Sequence, residues 1–281
     1  MYVAIDIGGT KTLVAVLDEH ANRREEYKFE TPKDYGQFIF ELEKAVAILE
    51  TKSFKAGGIG VPGRLNPERT ETIRLGNLSW KKHPLKADAE KLLGCPVFLE
   101  NDANLAGLSE AMLHKDFATV LYITVSTGIG TGIVHNQRLD PALLDSEGGQ
   151  ILLPHNGEWT RWEKFASGKA IFEHFGKKAM DIPASDSDTW HQIVSNLVIG
   201  IIEHIAIVQP DLIIIGGGVG TYFDRFKGLL HEELNHYKEV GNISYVRFPE
   251  IIKAERPEQA VIYGCYDLAK QKLSEEDATA H

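Results

Sequence analysis

Two glycine-rich turns set between apolar runs, Asp6-Ile-Gly-Gly-Thr-Lys-Thr12 and Thr124-Val-Ser-Thr-Gly-Ile-Gly-Thr131, carry the residue types that bind phosphate. Glycine lets a turn adopt positive φ and brings backbone N–H groups close to an anion, while Thr, Ser and Lys side chains add donors. One such turn is weak evidence. A pair, each in a strand-turn-strand setting, points to two similar lobes gripping one polyphosphate between them. The segment Glu100-Asn-Asp-Ala-Asn104 places Asp102 where a strand meets a helix N-terminus, a position that keeps a carboxylate ionised. Phosphoryl transfer to an alcohol needs such a base near the hydroxyl, magnesium across the phosphates and donors that absorb charge. Asp6, beside the first glycine turn, suits magnesium held through water, because Mg2+ takes few protein oxygens and keeps much of its hydration. The plainer role for Asp102 is a helix cap, since Asp and Asn are both favoured there.

Alternating strands and helices are expected to position these groups. Residues 2–7, 12–18 and 24–31 read as a three-stranded meander, followed by a helix over 34–50 with Phe38, Leu42, Ala45, Val46 and Leu49 on one face. A strand over 56–61, a helix over 85–93 closed by Gly94, a strand over 96–99 and a helix over 101–113 come next. The second glycine hairpin joins 118–125 to 129–135, and 140–157 is turn-rich. Helical patterns cover 162–175 and 188–208, a buried strand 211–215 ends in a glycine turn at 216–218, and helices follow over 221–234 and 257–273. The pattern predicts an α/β protein with mixed sheets and a lobe boundary near 114. The lobes are then 1–114 and 115–256, with a flexible polar tail at 274–281.

The 281 residues suffice for about two domains with a large core; 43% are apolar and 25% charged, as in an ordinary globular protein. A net charge of -10 without a basic block disfavours nucleic acid and an anionic membrane surface as partners. No apolar run approaches a membrane span, and the strand-like Tyr2-Val-Ala-Ile-Asp6 leaves no signal peptide, so a cytoplasmic location is expected. Cys95 and Cys265 are too few for a disulfide framework or a Cys-rich zinc site. Gly58-Ile-Gly-Val-Pro-Gly63 spells a dinucleotide fingerprint, but Pro62 and Pro67 fall where that fold needs a helix to start. Gly216-Gly-Gly-Val-Gly220 is the better nucleotide candidate, because a glycine-lined strand end lets a flat base or a phosphate approach the backbone.

Asp6-Ile-Gly-Gly-Thr-Lys11, Gly58–Gly63, Gly76-Asn-Leu-Ser-Trp80, Glu100–Ala106, Thr124–Gly132 and Gly216–Val219, in this order, resemble the ROK family (repressor, open reading frame, kinase) of bacterial sugar kinases in the actin-like ATPase superfamily. The resemblance implies a two-lobed, ribonuclease H-like fold and Mg2+- and ATP-dependent phosphorylation of a hexose, glucokinase-like and at the 6-hydroxyl. Its alternatives are an N-acetylmannosamine, N-acetylglucosamine or fructose kinase, a polyphosphate-dependent glucokinase, or a noncatalytic sugar or nucleotide sensor. It makes Asp102 the catalytic base and Asn101 its neighbouring sugar contact. Thr10, Lys11, Thr127 and Gly128, with Gly8 and Gly9 in the first turn, become phosphate contacts, and Gly217 and Gly218 lie near the adenosine. Gly63, Asn77, Glu147, Gln150 and Glu163 become the sugar-binding set. The resemblance also implies a final helix packed on the first lobe and a homodimer. Where the family has Glu-x-Gly-His this chain has Glu147-Gly-Gly-Gln150, and the cysteine-rich loop that follows is shortened to Leu153–Trp159 without a cysteine, so zinc is not expected. Arg161 stands before Trp162-Glu163 where the family has Cys, and Gln150 can itself hydrogen-bond a sugar.

Overall fold

The computed structural model describes residues 1–76, 78–243 and 246–279. The chain divides into two compact units, Met1–Ser109 together with the chain from Gln259, and Glu110–Glu258.

In the first unit the strands β1 (Tyr2–Ile7), β2 (Lys11–Leu17) and β3 (Arg23–Glu30) form an antiparallel meander. The chain continues through α1 (Tyr35–Ile48), β4 (Gly57–Val61), the short β5 (Gly63–Leu65) and β6 (Thr72–Leu75), α2 (Leu85–Leu93), β7 (Val97–Asn101) and α3 (Asp102–Ala111). β4 and β7 extend the meander as parallel strands, in the order β3-β2-β1-β4-β7. Alternation sorts the two faces of this sheet. Val3, Ile5, Ile7, Ile59, Val61, Val97 and Leu99 join Phe38, Leu42 and Ala45 of α1 and Leu85, Ala89 and Leu93 of α2 in one core. The other face carries small residues because a helix lies close against it: a Cβ at Gly58 would lie 2.1 Å from the Cys265 carbonyl oxygen. The sequence Gly58-Ile-Gly60 therefore serves helix packing and not a dinucleotide.

The second unit repeats this pattern. β8 (Thr119–Val125), β9 (Ile129–His135) and β10 (Arg138–Leu139) are an antiparallel meander, followed by the ribbon β11 (Leu152–His155) and β12 (Glu158–Arg161). Then come α4 (Glu163–Ala166), α5 (Gly168–Phe175), α6 (Ser187–Val208), β13 (Leu212–Gly216), α7 (Gly217–Gly220), α8 (Lys227–Val240) and β14 (Glu250–Lys253). The sheet order is β10-β9-β8-β13-β14, with β13 and β14 parallel to β8. Its core gathers Leu121, Ile123 and Ile213 with Trp190, Val194, Leu197 and Ile201 of α6. Among the described residues, α6 is the one helix long and apolar enough to cross a membrane, and its apolar length is that of a core helix.

Some elements depart from the sequence expectation. The helical pattern over 162–175 is two helices, because the Ser167 side chain caps α5 by accepting from the Ala170 N–H and ends α4. The pattern over 221–234 breaks after the glycines of α7, and the long helix starts only at Lys227. The last helix, α9 (Ala260–Thr279), starts after Pro257 and extends through most of the segment expected as a polar tail. It belongs to the first unit, lying on β1 and β4.

Candidate functional site

Within the first unit, the candidate residues collect at one edge, the C-terminal ends of the parallel strands β1, β4 and β7, where open α/β sheets place ligands. The first glycine turn closes β1 onto β2. Gly8 N–H donates to the Lys11 carbonyl at 2.9 Å, and a Cβ there would lie 2.8 Å from that oxygen, whereas Gly9 has open space around it. Neither glycine has positive φ, so close approach rather than handedness requires glycine at 8. Gly9, Thr10 and Lys11 are exposed at the turn's tip.

Asp6 precedes this turn on β1, opposite Gly60 of β4 and on the face covered by α9. Burial pushes its carboxyl up to about 6, with Lys28 the cation that partly offsets the effect. The same neighbourhood, and its own burial first, raises the Cys265 thiol well above its ordinary value.

At the end of β4 the chain turns through Pro62 into Gly63, which has φ of +154° and leaves no room for a side chain: a Cβ would lie 2.2 Å from the Arg74 carbonyl oxygen. Its own carbonyl accepts from Asn101 Nδ2 at 3.0 Å, joining the β5–β6 hairpin to the β7–α3 junction. Asn101 Oδ1 in turn accepts from the N–H groups of Ala103 (2.9 Å) and Asn104 (3.4 Å), capping α3. Asp102 is the first residue of α3, and its Oδ1 accepts from Ala103 N–H at 2.8 Å. It thereby stands at the N-terminal, positive end of the helix dipole. Gly63, Asn101 and Asp102 are thus brought together, while Asn77 lies outside the described residues.

Two residues join this site beyond those the motifs mark with a role: Glu100, which stands in the sequence motif, and Arg69, which stands in none. The buried Glu100 carboxylate accepts from Asn101 N–H at 2.8 Å and Asn104 Nδ2 at 3.0 Å, and Arg69 Nε approaches its other oxygen at 3.2 Å. Burial raises this carboxyl above the usual range, opposed by those same donors and by Arg69. Arg69 sits in the β5–β6 loop with φ of 54°, a left-handed conformation, so the pair ties that loop to the segment bearing Asp102. A Glu before Asn-Asp at the end of an apolar strand was the readable signal. The Arg partner, 31 residues away with β6, α2 and most of β7 between the two, had none.

In the second unit the corresponding edge holds the other candidates. The turn between β8 and β9 is closed by Ser126 N–H on the Gly128 carbonyl at 2.9 Å, leaving Thr127 exposed, and Gly168 N–H donates to the Ser126 carbonyl at 2.7 Å. Gly217, with φ of +78°, abuts this turn: a Cβ there would lie 2.6 Å from the Val125 carbonyl oxygen, while Gly218 faces open space. Gly128 faces Glu163, whose Oε2 would lie 2.9 Å from a Cβ at 128. Glu163 starts α4 directly after Trp162, a fully buried indole packed on Gly200 of α6 with Nε1 donating to the Asn196 carbonyl. Gln150 ends a single 3-10 turn, Gly148–Gln150, in which Gly148 N–H donates to Thr131 Oγ1 and a Cβ at Gly149 would lie 2.0 Å from the Ile129 carbonyl oxygen. Arg161 Nη1 donates to Gln150 Oε1 at 2.8 Å and lies 3.7 Å from Glu163 Oε1. Glu147 is exposed before that turn, its carbonyl accepting from Gln150 N–H. Gly128, Gln150, Arg161 and Glu163 therefore form one polar cluster beside the glycine turn. Among the described residues, no three His, Cys, Asp or Glu side chains are grouped as for a metal ion.

A family model described as the ROK family matches residues 2–272. The glucokinase of Streptomyces coelicolor is 26% identical over 310 aligned residues, which cover 96% of this chain and 97% of that protein. The N-acetyl-D-glucosamine kinase of Vibrio cholerae is 27% identical, over 94% of this chain and 98% of that protein. Among solved structures, a ROK family glucokinase from Streptomyces griseus in complex with glucose and AMPPNP has a TM-score of 0.79 at 24% identity, over 96% of this chain and 99% of that one. This last likeness is one of fold.

Proposed function

We propose that this chain, which belongs to the ROK family and is a sugar kinase, transfers the γ-phosphate of ATP to the 6-hydroxyl of a hexose, as a glucokinase. The observation that carries the reading is the grouping of Gly63, Asn101 and Asp102, in which an amide locked to a glycine carbonyl and a carboxylate at a helix N-terminus both accept from the Ala103 N–H. In this reading Asn101 orients the sugar and Asp102 takes the proton of the attacking hydroxyl. A positioned base of this kind accounts for about a hundredfold to ten-thousandfold in rate. Glu147, Gln150 and Glu163 hold further ring substituents, with a glutamine amide and carboxylates that complement hydroxyl groups.

The backbone and side chains exposed at Gly9–Lys11 and at Thr127, with Gly8 and Gly128 beside them, take the phosphates, and Gly217 and Gly218, one of them in open space, receive the adenosine. Asp6 is the group whose chemistry fits a hydrated magnesium ion: its buried carboxyl has a raised pKa, and a nearby divalent charge offsets the cost of ionising it. Magnesium, when bound with ATP, neutralises charge on the transferring phosphoryl group. An enzyme that draws on ATP and a free hexose works in the cytoplasm, and the -10 charge accords with small-molecule substrates held by local donors.

The test is ADP release measured across glucose, mannose, fructose and their N-acetylamino relatives, with polyphosphate replacing ATP in a parallel set. Hexose-dependent ADP release, strongest with glucose, is expected. Release that ignores the sugar, or turnover with polyphosphate alone, contradicts the assignment.

A further inference from the structure

Gln150 and Arg161 sit at the two feet of the β11–β12 ribbon, Gln150 just before β11 and Arg161 at the end of β12, opposite Leu152. The backbone fixes their separation, because Trp162 N–H also donates to the Ile151 carbonyl at 2.9 Å. A guanidinium has donors and no acceptor, so the atom of Gln150 facing Arg161 Nη1 at 2.8 Å is the amide oxygen. A free glutamine exchanges donor and acceptor by a half-turn of its last torsion. One whose oxygen is held by a cation does not, since the turned amide sets N–H against N–H. The Nε2 donors of Gln150 are therefore directed away from Arg161, and Glu163, 3.7 Å from the same guanidinium nitrogen, is an acceptor in its ionised form.

We propose that Arg161 is a specificity-determining residue: by holding the Gln150 oxygen it makes Gln150 an obligatory donor, so the ring substituent seated there must accept a hydrogen bond. This rests on the reading of Gln150 and Glu163 as sugar contacts. A hydroxyl accepts from Gln150 while giving its own proton to a carboxylate, and an acetamido carbonyl accepts equally well. A protonated amine has three N–H donors and no acceptor, so it meets Gln150 donor to donor and places its charge near the guanidinium. The substrate class is accordingly neutral hexoses and N-acetylhexosamines, with free amino sugars disfavoured although the Glu163 carboxylate offsets part of the repulsion. The Arg161 side chain is 46% exposed, so solvent screens the effect, and discrimination falls well short of the largest ratios that buried polar sites reach.

The experiment compares kcat/KM for the best aldohexose with that for its monoamino counterparts substituted at C2, C3 or C4, in the wild type, Arg161→Met, Arg161→Lys and Gln150→Glu. For the position that meets Gln150, the wild type is expected to prefer the hydroxyl by about 100-fold. Arg161→Met should narrow that ratio by about tenfold or more, with the ATP KM moving less than about twofold, and Arg161→Lys should retain most of it. Gln150→Glu, which replaces the donor by an acceptor, should shift the preference toward the amine. An active Arg161→Met enzyme whose ratios stay within about twofold of wild type at every position overturns this inference alone, as does a wild type indifferent to all three amines. A wild type that phosphorylates no hexose with ATP overturns the proposed function, and this inference with it.

Discussion

Asp102 is the residue on which the proposed chemistry rests. Asp102→Asn keeps the size and one acceptor of the side chain but removes its capacity to take a proton. Turnover should fall by about a hundredfold or more while the sugar KM changes little, as steady-state kinetics would show. Near-normal kcat in that variant removes Asp102 as the base. Glu100 and Arg69 give a second test at this scale. Arg69→Met leaves the Glu100 carboxylate buried beside amide donors without its cation, and breaking a buried pair from one side costs about 3 kcal/mol. Urea unfolding of the variant should show a loss of this size; a loss under about 1 kcal/mol would mean that the pair is not the tie between the β5–β6 loop and the Asp102 segment. The sequence displayed Asp102, Asn101 and Gly63 through local signals, a strand end, a cap and a Pro-Gly turn. The Arg69–Glu100 and Arg161–Gln150 pairs depend on which loops fold beside each other, which no local pattern encodes.

At the scale of elements, glycines test two kinds of crowding. Gly63→Ala forces a Cβ to within 2.2 Å of a backbone oxygen at positive φ, so the β5–β6 pairing must shift; both the Tm and the sugar affinity should drop markedly. Gly128→Ala meets only the end of the flexible Glu163 side chain, at 2.9 Å. There the Tm should hold within a few degrees while the sugar KM rises severalfold, and an unchanged KM would detach Glu163 from the sugar. The main strands and long helices were readable from period and punctuation, as with α2 and its left-handed Gly94 cap. The β11–β12 ribbon has the sequence of turns, because its strands are four residues long and the first contains Pro154. Positive φ was expected in the first glycine turn, yet Gly8 is required there by its closeness to the Lys11 carbonyl, a reason that appears only once β1 and β2 are paired.

At the scale of the whole molecule, the same five-strand order appears in both units, and the glycine hairpins occupy the same place in each, between the first two strands. That repetition was legible from the two hairpins alone, whereas the small-residue face of the first sheet made sense only with α9 in place. Raised carboxyls on that unit shape its stability. The Asp6 carboxyl is at about 6 when folded and near 4 when unfolded, so the folded state binds its proton more tightly. Its contribution is full below about pH 4 and is lost as pH rises through about 6. Asp6→Asn should therefore raise stability at pH 7.5, by up to about 3 kcal/mol, and leave it little changed at pH 4. Thermal melts at the two pH values check this, and equal effects at both would contradict the assigned burial. The central claim, transfer of phosphate to a hexose, is tested most directly by 31P NMR of the protein incubated with magnesium, ATP and glucose. The account predicts glucose 6-phosphate formed one for one with ADP; ADP without a sugar phosphate, or no reaction with any hexose, contradicts it.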